Sequence, residues 1–139
     1  MVGVDPKNDL ALVKIAYDAP LGEAAHFRPQ VNSIAGIIND YTLLQISAPL
    51  QPGNSGGPVF DGYGQVIGVV VREASLAVLA TTGALPQNVN FAIRGEIAQI
   101  LLTARGIKVL MTRHRRALST EAVASQGLRS TVQVICIVE

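Results

Sequence analysis

Charge, cysteine, aromatic rings and histidine are all scarce in this sequence. Only 15% of its 139 residues are charged and the formal net charge is +1, which gives no electrostatic reason to hold nucleic acid. Aromatic residues make up 4% of the chain and tryptophan is missing, so no base-stacking platform is expected. The single cysteine, Cys136, cannot form an internal disulfide; it sits in an apolar alternation near the C-terminus, where a buried thiol is expected. No Cys/His set has metal-ligand spacing, and neither a metal nor an organic cofactor is expected. No apolar run reaches the roughly 18 to 20 residues of a membrane span, because Arg72 and Glu73 break the longest one. The opening residues Met1 to Lys7 lack the basic region and apolar core of a signal peptide, so these residues predict no export. There are two histidines, His26 and His114.

What the chain does have is apolar strand-forming sequence. Hydrophobic residues reach 49% and the mean hydropathy is +0.37, enough for one domain with a buried core. Asp5-Pro-Lys-Asn reads as a turn, and Asp9 to Ile15 as a strand that begins at Asp9. Further strands are predicted at Val31 to Ile38, Leu43 to Ala48, Gln65 to Val71 and Asn88 to Ile93. Phe60-Asp-Gly-Tyr-Gly-Gln65 reads as a hairpin turn. From Arg94 the spacing of Ile97, Ile100, Leu101 and Ala104 predicts a helix stopped by Gly106. Beyond it, Lys108 to Met111 suggests a short strand, Ser119 a cap for a helix through Leu128, and Ser130 to Val138 a closing strand. Arg113-His-Arg-Arg116, the one basic cluster, reads as a solvated loop.

The chemistry concentrates in Gln51-Pro-Gly-Asn-Ser-Gly-Gly-Pro58. Glycines on both sides of Ser55 let the backbone turn sharply and approach a ligand. In a tight Gly-Asn-Ser turn the amides of Gly53 and Ser55 can point the same way and hold a developing oxyanion. The same residues also make ordinary turns, so the motif gains weight from its flanking strands.

Together with Leu43 to Ala48 before it and Gln65 to Val71 and Asn88 to Ile93 after it, Gly53-Asn-Ser-Gly-Gly-Pro58 resembles the C-terminal barrel of a trypsin-like serine protease of the HtrA-like branch. The resemblance implies a mainly β fold: a partial trypsin-like antiparallel β-barrel with a C-terminal helix. It implies a peptidase portion over residues 1–106 and an extension over 107–139. Ser55 is then the nucleophile, with Gly53 and Ser55 as oxyanion donors. Asn8-Asp-Leu-Ala-Leu-Val-Lys-Ile15 is similar to the segment that carries the triad aspartate, which makes Asp9 the residue expected to orient an imidazole. Pro49, Leu50, Asn90 and Phe91 fall where such proteases build the substrate pocket. With no charge there, a small or aliphatic side chain would be preferred. Asn54 stands where digestive relatives carry an aspartate that pairs with a newly cut N-terminus, which argues against zymogen activation.

Two departures follow from the same resemblance. The triad histidine should precede Asp9, yet neither His26 nor His114 does. Two further strands, about 30 residues with their connections, should separate the aspartate strand from the serine loop, yet Phe27-Arg-Pro-Gln30 runs almost directly into Val31. The expectation is a protease that has lost its N-terminal barrel and part of the second, with open sheet edges. The function it implies is peptide-bond hydrolysis through an acyl-enzyme at Ser55, incomplete in the isolated chain. The alternative is a non-catalytic remnant that binds peptides, unfolded protein or a partner chain along an exposed edge, or takes its histidine from another chain. Relatives of this kind are exported or periplasmic.

Overall fold

The computed structural model describes residues 2–15, 22–29, 41–71, 83, 90–113 and 116–135. The strand predicted at Val31 to Ile38, His114, and Cys136 with the end of the closing strand lie outside them.

The chain opens with a two-stranded ribbon, β1 (Gly3–Asp5) antiparallel to β2 (Leu10–Leu12). A single 3-10 turn, Pro6–Asn8, joins them, and Asp5 caps it by accepting hydrogen bonds from the Asn8 amide and side chain. Proline at the first position suits that turn because its missing N–H would have no partner there. Asp9 lies just before β2 rather than within it, with φ 51°, a left-handed conformation that aspartate tolerates better than most residues.

The main sheet has four antiparallel strands in the order β3 (Leu43–Ile46), β6 (Asn90–Arg94), β5 (Val66–Val70), β4 (Pro58–Phe60). The short edge strand β4 starts on Pro58, a position that asks no N–H of the ladder. The central strands β5 and β6 supply most of the core: Val66, Val70, Phe91, Ala92 and Ile93 are buried, with Leu44 and Val71 beside them. Leu10, Leu43 and Ile97 pack on the cluster of Val71, Phe91 and Ile93, which ties the ribbon to the sheet. At the other edge, the Arg94 amide donates to Thr42 O at 2.9 Å. In that register Thr42, Leu44 and Ile46 bond to β6, while Leu43 and Gln45 turn their backbone groups outward. Among the described residues no strand pairs with that outer side of β3. This is the mainly β, partial antiparallel barrel that the motif implied: four strands of a sheet plus a separate ribbon.

Helix α1 (Gly95–Ala104) follows β6 without a loop and packs on β5. Its buried residues are Gly95 and Ala98, whereas Ile100, placed on the apolar face by spacing, is 65% exposed. A Cβ at position 95 would stand 3.1 Å from the Ile67 carbonyl carbon, so the helix meets the sheet through its smallest residues, and of the apolar stripe Ile97 stays on the core while Ile100 is turned off it.

Residues 107–113 and 116–135 return across the far end of the sheet. The Phe27 amide donates to Leu110 O and the Thr112 amide to Phe27 O, while Val66 exchanges bonds with His26 and Arg28 on the other side of Phe27. Phe27 thus bridges β5 and Met111 in parallel, and Met111 is as much of a strand as the Lys108 to Met111 stretch forms. Helix α2 (Thr120–Ser130) starts where Ser119 accepts from the Ala122 amide and lies against β4. Residues 131–135 form no strand, with Val132, Val134 and Ile135 exposed.

Candidate active site

The serine loop connects β3 to β4 and is built from two consecutive turns that share Asn54. The Asn54 amide donates to Gln51 O at 3.1 Å, closing the first; the Gly57 amide donates to Asn54 O at 2.9 Å, closing the second. Gly53 (φ 99°) and Gly56 (φ 83°) supply the left-handed conformations that these turns require. The loop is fastened to β5 by the Gly56 amide on Val70 O, 2.8 Å, and the Val70 amide on Gly57 O, 2.9 Å. Ser55 stands at the exposed tip. Among the described residues, no hydrogen bond occupies the Gly53 or Ser55 amide or the Ser55 hydroxyl.

Ser55 borders a cleft of about 190 Å³, lined also by Leu50, Gln51, Pro52, Val70, Val71 and Asn90. Its wall mixes aliphatic residues with Gln51, Ser55 and Asn90 and carries no charge, so it would favour an uncharged side chain. Asn90 Nδ2 donates to Ala48 O at 2.8 Å and thereby holds the segment that delivers Leu50. Of the four pocket residues expected from sequence, Leu50 and Asn90 line the cleft. Pro49 is exposed outside it, and Phe91, 1% exposed, supports Val71 from within the core. Val70 and Val71 were not singled out by the motif. They end the β5 apolar run, and what brings them beside Ser55 is the pair of bonds between Val70 and the Gly56–Gly57 backbone.

Asp9 is exposed, and among the described residues nothing engages its carboxylate. Leu10, next in sequence, packs on the core cluster of Val71, Phe91 and Ile93, of which Val71 also lines the cleft. His26 is elsewhere. Its carbonyl accepts from Val66, and Ser55's neighbour Gly56 bonds to Val70, four residues along β5 or about 13 Å at an ordinary strand rise. Its Nδ1 instead sits 2.7 Å from Thr112 Oγ1. A general base needs about 3 Å, so His26 does not serve Ser55. Among the described residues no group of three or more His, Cys, Asp or Glu side chains could hold a metal ion, and no helix is long and apolar enough to cross a membrane.

Residues 22–69 match the trypsin-like peptidase domain. The chain is similar to an uncharacterized protein, y4bJ, of Sinorhizobium fredii, 39% identical over 163 residues that take in 98% of this chain and 26% of the relative. It is 30% identical over 122 residues to a probable periplasmic serine endoprotease, DegP-like, of Marinomonas, covering 67% of this chain and 26% of the relative. A DegP-like protein of Chlamydia trachomatis is 34% identical over 97 residues, with 50% and 20% covered. The chain thus spans about a quarter or less of the length of these curated relatives. No solved structure matches it.

Both alignments run longer than the part of this chain they take in. For the Sinorhizobium protein, 98% of 139 residues is about 136, leaving about 27 of 163 aligned positions without a counterpart here. For the Marinomonas protein, 67% is about 93, leaving about 29 of 122.

Proposed function

We propose, from the match of residues 22–69 to the trypsin-like peptidase domain and the likeness to DegP-like serine endoproteases, that Ser55 is the nucleophile of an acyl-transfer site for peptides that is incomplete in the isolated chain. The observation that carries the reading is the tip of the serine loop, where, among the described residues, no hydrogen bond engages the Ser55 hydroxyl or the Gly53 and Ser55 amides, and Ser55 borders a cleft with no charged residue in its lining. Ser55 Oγ attacks the peptide carbonyl, the Gly53 and Ser55 amides take the oxyanion, and the amine leaves with a proton. Asp9 is the carboxylate that would fix an imidazole tautomer. The imidazole itself has to come from outside the described residues, from another part of a longer protein or from a partner chain. Without it a serine hydroxyl is a weak nucleophile at neutral pH, and oxyanion stabilisation and binding alone sustain only a residual rate, about 10³ to 10⁴ over water. Peptide or unfolded protein is the proposed substrate class, and the periplasm, named for the relatives, the proposed site of action.

A second reading rests on β3. Its outward backbone groups at Leu43 and Gln45 offer an edge to which an extended peptide could add as a strand without chemistry. A fluorophosphonate probe followed by peptide mapping separates the two. Labelling at Ser55, lost in Ser55→Ala, supports the acyl-transfer site. No labelling, alone or with a histidine-bearing protease barrel added, together with peptide uptake abolished by Gln45→Pro, would replace it with the binding role.

A further inference from the structure

The serine loop is almost entirely solvent-exposed from Gln51 to Gly56, so packing does not hold its shape. Among the described residues, a Cβ built at Gly53 or Gly56 would meet nothing within 4 Å, so none of them wedges the loop from outside. What remains are its hydrogen bonds, and Asn54 makes three of them. Besides the two backbone bonds that close the turns, Asn54 Oδ1 accepts from the Gln51 amide at 2.9 Å. The Gln51–Asn54 turn is therefore closed twice, once by each partner's N–H.

We infer that the Asn54 side chain is the positioning group of the serine loop. By engaging the Gln51 amide it fixes the first turn, which sets the direction of the Gly53 amide and, through the shared Asn54, the start of the second turn that carries the Ser55 amide. The inference rests on the reading of Ser55 only for its catalytic meaning; the loop organisation stands on the geometry. It also gives position 54 a task that requires no ion pair with a chain terminus. The loop templates itself, and the acceptor can be any side-chain oxygen at that reach. An aspartate would keep the bond and an alanine would lose it.

The test compares the full chain with Asn54→Ala and Asn54→Asp by two readouts. Fast solvent-exchange NMR reports on the Gln51 amide, and boron NMR of an aliphatic peptide boronate reports on a tetrahedral adduct at Ser55. Alanine is expected to speed Gln51 exchange about tenfold and to weaken the adduct by a similar factor. Aspartate should stay within about twofold of the parent in exchange. All three chains should share one urea midpoint, because the loop buries nothing. Unchanged Gln51 exchange in Asn54→Ala, or an adduct weakened equally by Ala and Asp, overturns the inference. If the parent chain forms no adduct, alone or with a histidine-bearing protease barrel added, the nucleophile reading fails while the exchange rates still decide the role of Asn54.

Discussion

Arg28 and Asp61 meet across the β4–β5 turn with Nη1 and Oδ2 2.6 Å apart, and the guanidinium lies 5.7 Å from the centre of the Tyr63 ring. Asp61 is the fixed partner. Its Oδ1 accepts the Tyr63 and Gln65 amides at 2.9 Å each, and its side chain is 10% exposed against 39% for Arg28. Asp61→Ala should therefore cost about 2 to 4 kcal/mol, since two amides and a charge lose their partner. Arg28→Ala, on the wetter side, should cost about 1 kcal/mol or less. Urea unfolding of the two variants checks the order, and a larger loss for Arg28→Ala would contradict it.

Gly64 is where the returning segment touches the hairpin most closely. Its φ is 73°, and a Cβ there would stand 2.6 Å from Gln126 Oε1 and 2.9 Å from Leu118 Cδ1. Gly64→Ala should cost about 1 kcal/mol from backbone strain and more from displacing α2. Adding Gln126→Ala removes one of the two obstructing side chains, so the double variant should lose less than the sum of the singles. Thermal unfolding of the four-member cycle measures the coupling.

Gln65 is 2% exposed and its Nε2 has no hydrogen-bond partner. Its backbone amide, not its side chain, serves the turn. Gln65→Met keeps the shape and removes the orphaned donor, and is expected to raise stability by about 1 kcal/mol. A lower urea midpoint would show that the amide group has a role in the core.

If Ser55 lacks only a base, a diffusible one should partly replace it. Added imidazole should raise hydrolysis of an activated aliphatic ester by about three- to tenfold over Ser55→Ala under the same conditions. Asp9→Asn should lower that increment if the carboxylate orients the imidazole. Equal rates for the parent chain and Ser55→Ala would remove the case for a nucleophile.

The parts of the fold that were legible in sequence are those set by local rules. Ser119 caps α2, the turn at Pro6–Asn8 forms under Asp5, β5 lies inside the sheet, and Arg105 and Gly106 end α1 with bonds back to Leu102 and Thr103. Each depends on residues within a few positions of one another. The rotated face of α1 was not legible, because it depends on how closely Gly95 approaches Ile67, a contact between two elements. At the site, the Ser55 turn could be read from its glycines. That Phe91 supports the cleft from behind while Val70 and Val71 line it could not, since a strand residue's side depends on register with β6. In sequence Asn54 stands out only for the charge it lacks. Its acceptor role appears only when the turn is seen closed.

The returning segment also sets an order of events for a chain made from its N-terminus. Glu23 has its partners in Arg129, through a backbone bond of 2.8 Å and an ion pair of 3.1 Å across 106 residues of sequence. Phe27 likewise waits for Leu110 and Thr112. Local hairpins can form early, but the end of the sheet closes only once the last helix has left the ribosome. Contacts of such long sequence separation slow folding, and until they form the Phe27 segment is an unpaired edge that another chain can take.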